Sequence, residues 1–135
     1  MEGEVLEVFN EKALKNAIYS ALLMSLIDGY LHENEWDIIQ SFADTHWREE
    51  YENFDQYKDE VKHEINQLLS KTKNEKEVIA KRVQKIVEEL TPDLTHQQKN
   101  IVLNLVGDVM IADGIMTLEE SKLFQVFMEK LGIQI

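Results

Sequence analysis

The sequence predicts an all-α protein: a single domain over residues 1–135, folded as a bundle of six or seven helices with two pseudo-symmetric helix-(Asp-Gly loop)-helix hairpins. Three observations predict it. Apolar residues recur every three or four positions almost throughout, the period of a helix with one buried face. The chain has a single Pro and five Gly, too few to punctuate a set of strands. SLIDGYLHENE at residues 25–35 is written again as MIADGIMTLEE at 110–120, an offset of 85 that pairs Asp28, Gly29 and Glu35 with Asp113, Gly114 and Glu120.

The elements follow in order. Asn10 is a favourable N-cap, and Ala13, Ala17, Ala21 and Met24 carry a first helix to near Asp28. A second starts near His32 and holds Ile38, Ile39 and Phe42, with helix or irregular turns from Asp44 to Asn53. A third runs from about Phe54 to Leu69, with Val61, Ile65, Leu68 and Leu69 on one stripe. Asn74, with Glu77 three residues on, caps a fourth that carries Ile79, Val83, Ile86, Val87 and Leu90. Thr91-Pro92 breaks it, because the residue before a proline avoids the helical region. Thr95 with Gln98 reads as a capping box and opens a fifth helix through Ile101, Leu103, Leu105, Val106, Val109 and Ile111. Thr117 with Glu120 reads as another and opens the last, through Leu123, Phe124, Phe127, Met128 and Leu131, with Gly132 as its left-handed C-cap.

The repeat extends beyond the loop. At the same offset Ile18 pairs with Leu103, Leu26 with Ile111, Ile38 with Leu123, Ile39 with Phe124, Gln40 with Gln125 and Phe42 with Phe127. Two such hairpins can pack about a pseudo-two-fold axis, bridged by the third and fourth helices.

Composition narrows the function. A 135-residue chain can bury a core without cross-links. Absence of Cys excludes disulfides, thiolate metal sites and a cysteine nucleophile. A formal charge of −12 opposes nucleic-acid binding, which draws its affinity from concentrated Lys and Arg; the densest basic stretch, residues 71–85, is interrupted by acids. The longest apolar-rich run, Ala17 to Ile27, is too short for membrane insertion, and the acidic start MEGEVLEVFNEK is no secretory signal, so a cytoplasmic location is expected.

The Asp-Gly loops admit two readings. As helix punctuation, Gly29 and Gly114 supply positive φ, Leu31 or Met116 tucks beneath the turn, and Glu35 or Glu120 reaches back to the amide of His32 or Thr117. As chemistry, Asp-Gly with Glu seven residues after the Asp matches the second half of an EF-hand calcium loop. The first half is missing, since Met24 and Leu26, or Val109 and Ile111, stand where carboxylates belong, so an ordinary EF-hand is excluded. Asp28, Glu35, Asp113 and Glu120 are therefore the candidate metal ligands, sharing one divalent cation if the two loops meet; Asp108 lies near the second loop, but its counterpart is Leu23.

ALLMSLIDGYLHENEWDIIQSF and VLNLVGDVMIADGIMTLEESKLFQVF together resemble the TerB-like domain of tellurite-resistance proteins, and the resemblance spans nearly the whole chain. It implies an all-helical TerB-like fold, a bacterial cytoplasmic protein of a tellurite or stress response, and a cation-binding role for Asp28, Glu35, Asp113 and Glu120. Ile27 departs from the family in standing where a small residue, here Ala112, is usual.

No catalytic signature accompanies these loops. His32, His46, His63 and His96 form no HExxH pair, and no GxSxG, Walker or GxGxxG pattern occurs. A non-enzymatic protein is expected, with no cofactor beyond the divalent cation. Trp47, Tyr51, Phe54 and Tyr57 cluster beside acids and read as core packing or as an exposed partner surface. The apolar tail, residues 131–135, docks on its own core or on a second copy of the chain, so a protein partner or homodimer is expected. The alternative to cation binding is a pure interaction module with no metal site.

Overall fold

The computed structural model describes residues 8–26, 33–70, 73–112 and 117–132. Among them it contains six α-helices and no strand: α1 Glu11–Ser25, α2 Glu33–His46, α3 Phe54–Ser70, α4 Glu75–Leu90, α5 His96–Met110 and α6 Leu118–Leu131. A 3₁₀ turn at Thr91–Asp93 carries the proline and separates α4 from α5. Both Asp-Gly turns, His32 and the last three residues of the tail lie outside the described residues.

Helix α1 is the axle. From Ala17 to Ser25 every residue is buried, together with Ala13 and Leu14. A helix apolar around most of its circumference belongs inside a bundle. It is covered by α4 and α5, and more lightly by α6 and α2. Ala13, Ala17 and Ala21 recur every four residues at zero exposure, so neighbouring backbones can approach closely. Leu14, Ile18, Leu22, Leu23 and Met24 fill the remaining space, each stabilising the fold by about 1.5–3 kcal/mol through burial.

The other helices bury one face each. In α4 that face is Ile79, Val83, Ile86, Val87 and Leu90; in α5 it is Val102, Leu105, Val106, Val109 and Met110, together with Gln98. Helix α2 packs on α5, and α6 packs on α4. Helix α3 buries only Tyr57, Val61 and Ile65 and leans on α4. Lys58 and Lys62 on α3 reach over the Trp36 ring of α2, at 5.1 and 4.6 Å from its centre.

Local chemistry fixes the helix ends. The Asn10 side chain accepts from Ala13 N–H at 2.7 Å, and Asn74 from Glu77 N–H at 3.3 Å. Thr95 with Gln98, and Thr117 with Glu120, each close a complete capping box. Gly132 ends α6 at φ 82°, a left-handed conformation that a Cβ disfavours.

The first helix runs to Ser25, with Leu26 as its C-cap, and Asp28 lies outside the described residues. One expectation is corrected. Ile111, counted with the apolar face of the fifth helix, is half exposed, because that helix ends at Met110 and Ile111 turns away from the core as its cap. The stretch between α2 and α3 is resolved as follows: α2 continues through His46, and residues 47–53 are irregular.

The aromatic cluster in that irregular stretch packs inward. Trp47 stacks on Tyr57 at 5.4 Å and meets Phe54 and Tyr51 edge-on at 5.0 and 6.2 Å. Trp47 Nε1 donates to Glu52 O at 2.7 Å, Tyr57 Oη to Lys15 O at 2.8 Å, and Tyr51 Oη to Phe9 O. These rings bracket the start of α1 and satisfy their own polar atoms, which is the core-packing alternative.

Candidate functional site

Of the four sequence-predicted ligands, the structure describes two. Glu35 is the third residue of α2 and Glu120 the third residue of α6, so they occupy the same register after their respective loops. Both are almost fully buried, at 2% and 1% exposure. Glu120 Oε1 accepts from Thr117 N–H at 2.9 Å, while Thr117 Oγ1 accepts from Glu120 N–H at 3.1 Å. A carboxylate here faces the positive end of the helix dipole as well as the free first-turn amides. Asp28 and Asp113 lie outside the described residues. Among the described residues no cluster of three or more acidic or imidazole groups is arranged to hold a metal ion.

One contact joins the two loop regions. Asn34 Nδ2, on the first turn of α2, donates to the carbonyl of Ala112, the residue before Asp113. The exit of the first loop therefore abuts the entrance of the second, although 78 residues separate the partners. The exposed apolar side chains Ile111 and Leu118, at 50% and 70%, flank the second loop.

Near that end, a cleft of about 490 Å³ opens between α2 and α5, with Asp37 and Asp108 among its acids and Ile38, Phe42 and His46 among its walls. Burial lowers the pKa of His46, whose ring packs on Phe9 and Phe42 at 5.2 and 4.6 Å. The imidazole is thus a packing group here.

A second cleft has no counterpart in the sequence-predicted site. It lies between α1, α3 and α4, holds about 650 Å³, and is lined by residues including Asn16, Tyr19, Glu64, Arg82 and Glu89. Asn16 Nδ2 and Tyr19 Oη are buried without a hydrogen-bond partner in the protein, as is Ser20 Oγ one residue further along. Burial drives the Tyr19 hydroxyl up to about 12, and the nearby Glu64 carboxylate adds to this while Arg82 opposes it. The signal for this site is a polar interruption at positions 16, 19 and 20, one helical face, within an otherwise apolar α1.

At its mouth a charge network holds the irregular stretch to α1. Lys15 Nζ sits 2.7 Å from Glu52 Oε1 and 3.1 Å from Glu11 Oε2. Burial works against the Lys15 charge, but its bonds to Glu52 and Glu11 outweigh it and raise its pKa. Glu11 is held below its usual value, chiefly by the Glu52 backbone N–H and then by Lys15. Glu52 is lowered by Lys15, whereas its hydrogen bond to Glu60 raises the latter.

No family profile, curated protein or solved structure matches the chain. No described helix is long and apolar enough to cross a membrane.

Proposed function

We propose that the chain is a non-enzymatic, cytoplasmic TerB-like protein whose paired Asp-Gly loops bind a divalent cation, serving as a cation-responsive or scaffold component of a tellurite-type stress response. The observation that carries this reading is the matched pair Glu35 and Glu120, buried in the same register of α2 and α6, with Asn34 tying the start of α2 to the threshold of the second loop. Carboxylates on the first turns of α2 and α6 are oxygen ligands of the kind a hard cation takes. Asp28 and Asp113 would complete the acidic set, with water and backbone carbonyls filling the shell. The pseudo-two-fold arrangement is supported by the packing: α1 lies against α5, α2 lies on α5, and α6 touches α1. A cation that orders both loops would bias the hairpins together and present a surface to a protein partner or a second copy of the chain.

Calorimetric titration with calcium, magnesium, manganese and zinc tests this on the natural chain and on the Glu35→Gln/Glu120→Gln double variant. Heat and a rise in melting temperature that vanish in the double variant support the cation role. Absence of both at millimolar metal defeats it.

A pure interaction module with no metal site is the second reading. The Thr117–Glu120 capping box favours it, since it employs Glu120 as helix punctuation, and exposed Ile111 and Leu118 flank the same loop. Asp28→Asn with Asp113→Asn separates the two: metal response disappears under the first, whereas partner capture survives under the second.

A further inference from the structure

Helix α1 poses a problem that packing does not answer. It is the most enclosed element, yet Asn16, Tyr19 and Ser20 place three polar side-chain atoms on one face of it with no protein partner at full hydrogen-bond geometry, the Tyr19 hydroxyl having only the nearby Glu64 carboxylate to turn to. A buried polar group left unsatisfied destabilises the fold, and apolar residues of similar shape would avoid the cost. Two of these residues, Asn16 and Tyr19, line the cleft between α1, α3 and α4. Tyr19 is only 8% exposed, so its hydroxyl is not kept for contact with bulk solvent.

Charge around the cleft indicates what fits it. Lys12, Lys15 and Arg82 balance Glu11, Glu64 and Glu89, a neutral lining in a chain of net charge −12. Lys15 and Glu11 bond to each other. Arg82 is half-buried and makes no ion pair among the described residues; Glu64 on α3, beside the Tyr19 hydroxyl, and Glu89, on the same helix as Arg82, are exposed. The inner groups, the Asn16 amide, the Tyr19 hydroxyl and the Arg82 guanidinium, are donors that suit a carboxylate. The outer glutamates suit an ammonium. A net anion would meet Glu64 and Glu89, and a net cation would meet Arg82 and Lys12.

We propose that this cleft binds a small zwitterion of the amino-acid or short-peptide class, its carboxylate held by Asn16, Tyr19 and Arg82 and its ammonium by Glu64 and Glu89. The Asn16 and Tyr19 polar atoms are closed off from solvent in this conformation. The long Arg82 and Glu64 side chains therefore swing outward as the ligand enters. The site uses none of the loop carboxylates, so it stands or falls independently of cation binding.

The test is a two-dimensional ¹H–¹⁵N NMR titration of the full chain with glycylglycine, against N-acetylglycine, which keeps only the carboxylate, and glycinamide, which keeps only the ammonium. Glycylglycine is expected to give saturable shifts of the Asn16 side-chain amide and of backbone amides around residues 12–20 and 82–89. Each half-probe, and each of Arg82→Met and Tyr19→Phe with glycylglycine, is expected to bind about tenfold more weakly, the worth of one hydrogen bond to a charged group. Tyr19→Phe is also expected to melt at the same temperature as the natural chain or higher, since it deletes an unsatisfied hydroxyl. The proposal is overturned by an absence of saturable shifts, by a half-probe that binds as well as glycylglycine, or by a lower melting temperature for Tyr19→Phe, which would show the hydroxyl satisfied within the fold.

Discussion

Helices α1 and α5 are matched in sequence and buried differently. In α1 eleven residues are buried, whereas α5, its counterpart by sequence, buries six. The pair Ile18 and Leu103 shows the contrast: Ile18 is 1% exposed, and Leu103 is only partly buried against the core. The cause lies in what covers each helix. Helix α1 has α4 and α5 on it and α6 and α2 beside it, while α5 has α1 and α2 on it and α6 beside it, and leaves the face of Asn100, Asn104 and Asp108 to solvent. Two helices matched in sequence are thus buried unequally, and α4, which packs on α1, encloses one of them.

Truncation of the matched pair is the strongest way to break this comparison. Ile18→Ala should destabilise by about 3 kcal/mol, through lost burial and the cavity it leaves, and Leu103→Ala by about 1 kcal/mol. Urea melts of both variants decide it, and equal losses would mean that the two helices are equally enclosed. At the entrance of α6, Thr117→Ala should cost about 1 kcal/mol by dissolving one half of its capping box. Gly132→Ala should cost a similar amount, about 1 kcal/mol, because the left-handed conformation at φ 82° is strained for a residue with a Cβ. Ile111→Ser should leave thermal stability within about 0.5 kcal/mol, since its side chain has left the core.

The smallest effect concerns pH. Glu11 and Glu52 both have folded-state pKa values below the ordinary 4.5. Their contribution is therefore fully present above that value and is lost as pH falls below it through the folded values. A melt series should show a shallow loss of stability below about pH 4.5, and Lys15→Met should flatten it by removing the partner common to both acids.

Much of the fold was legible because helix ends are local. Asn10, Asn74, Thr95, Thr117 and Gly132 each act through a neighbour within a few residues, so spacing alone identified their roles, and the structure bears out all five. Apolar periodicity fixed the buried faces of α3, α4 and α6 for the same reason. Ile111 was misassigned because its repeat partner, Leu26, does pack against the core, and an offset cannot tell where a helix stops. The contact from Asn34 to Ala112 was illegible, since a side-chain amide offers no clue to a carbonyl 78 residues away. The polar stripe on α1 was readable as a pattern; which neighbours would leave it unsatisfied depended on how α3 and α4 dock.

Two residues distant in sequence hold the short lead-in before α1. Gln98 closes its own capping box and also donates through Nε2 to Val8 O at 2.9 Å, while Tyr51 donates to Phe9 O. Helix ends ordinarily fray. Here one residue from the fifth helix and one from the irregular bridge clamp consecutive carbonyls, so the opening turn of the axle cannot loosen without disturbing distant parts of the globule. Amide hydrogen exchange at Leu14 should accordingly be as slow as at Leu22 deep in the same helix.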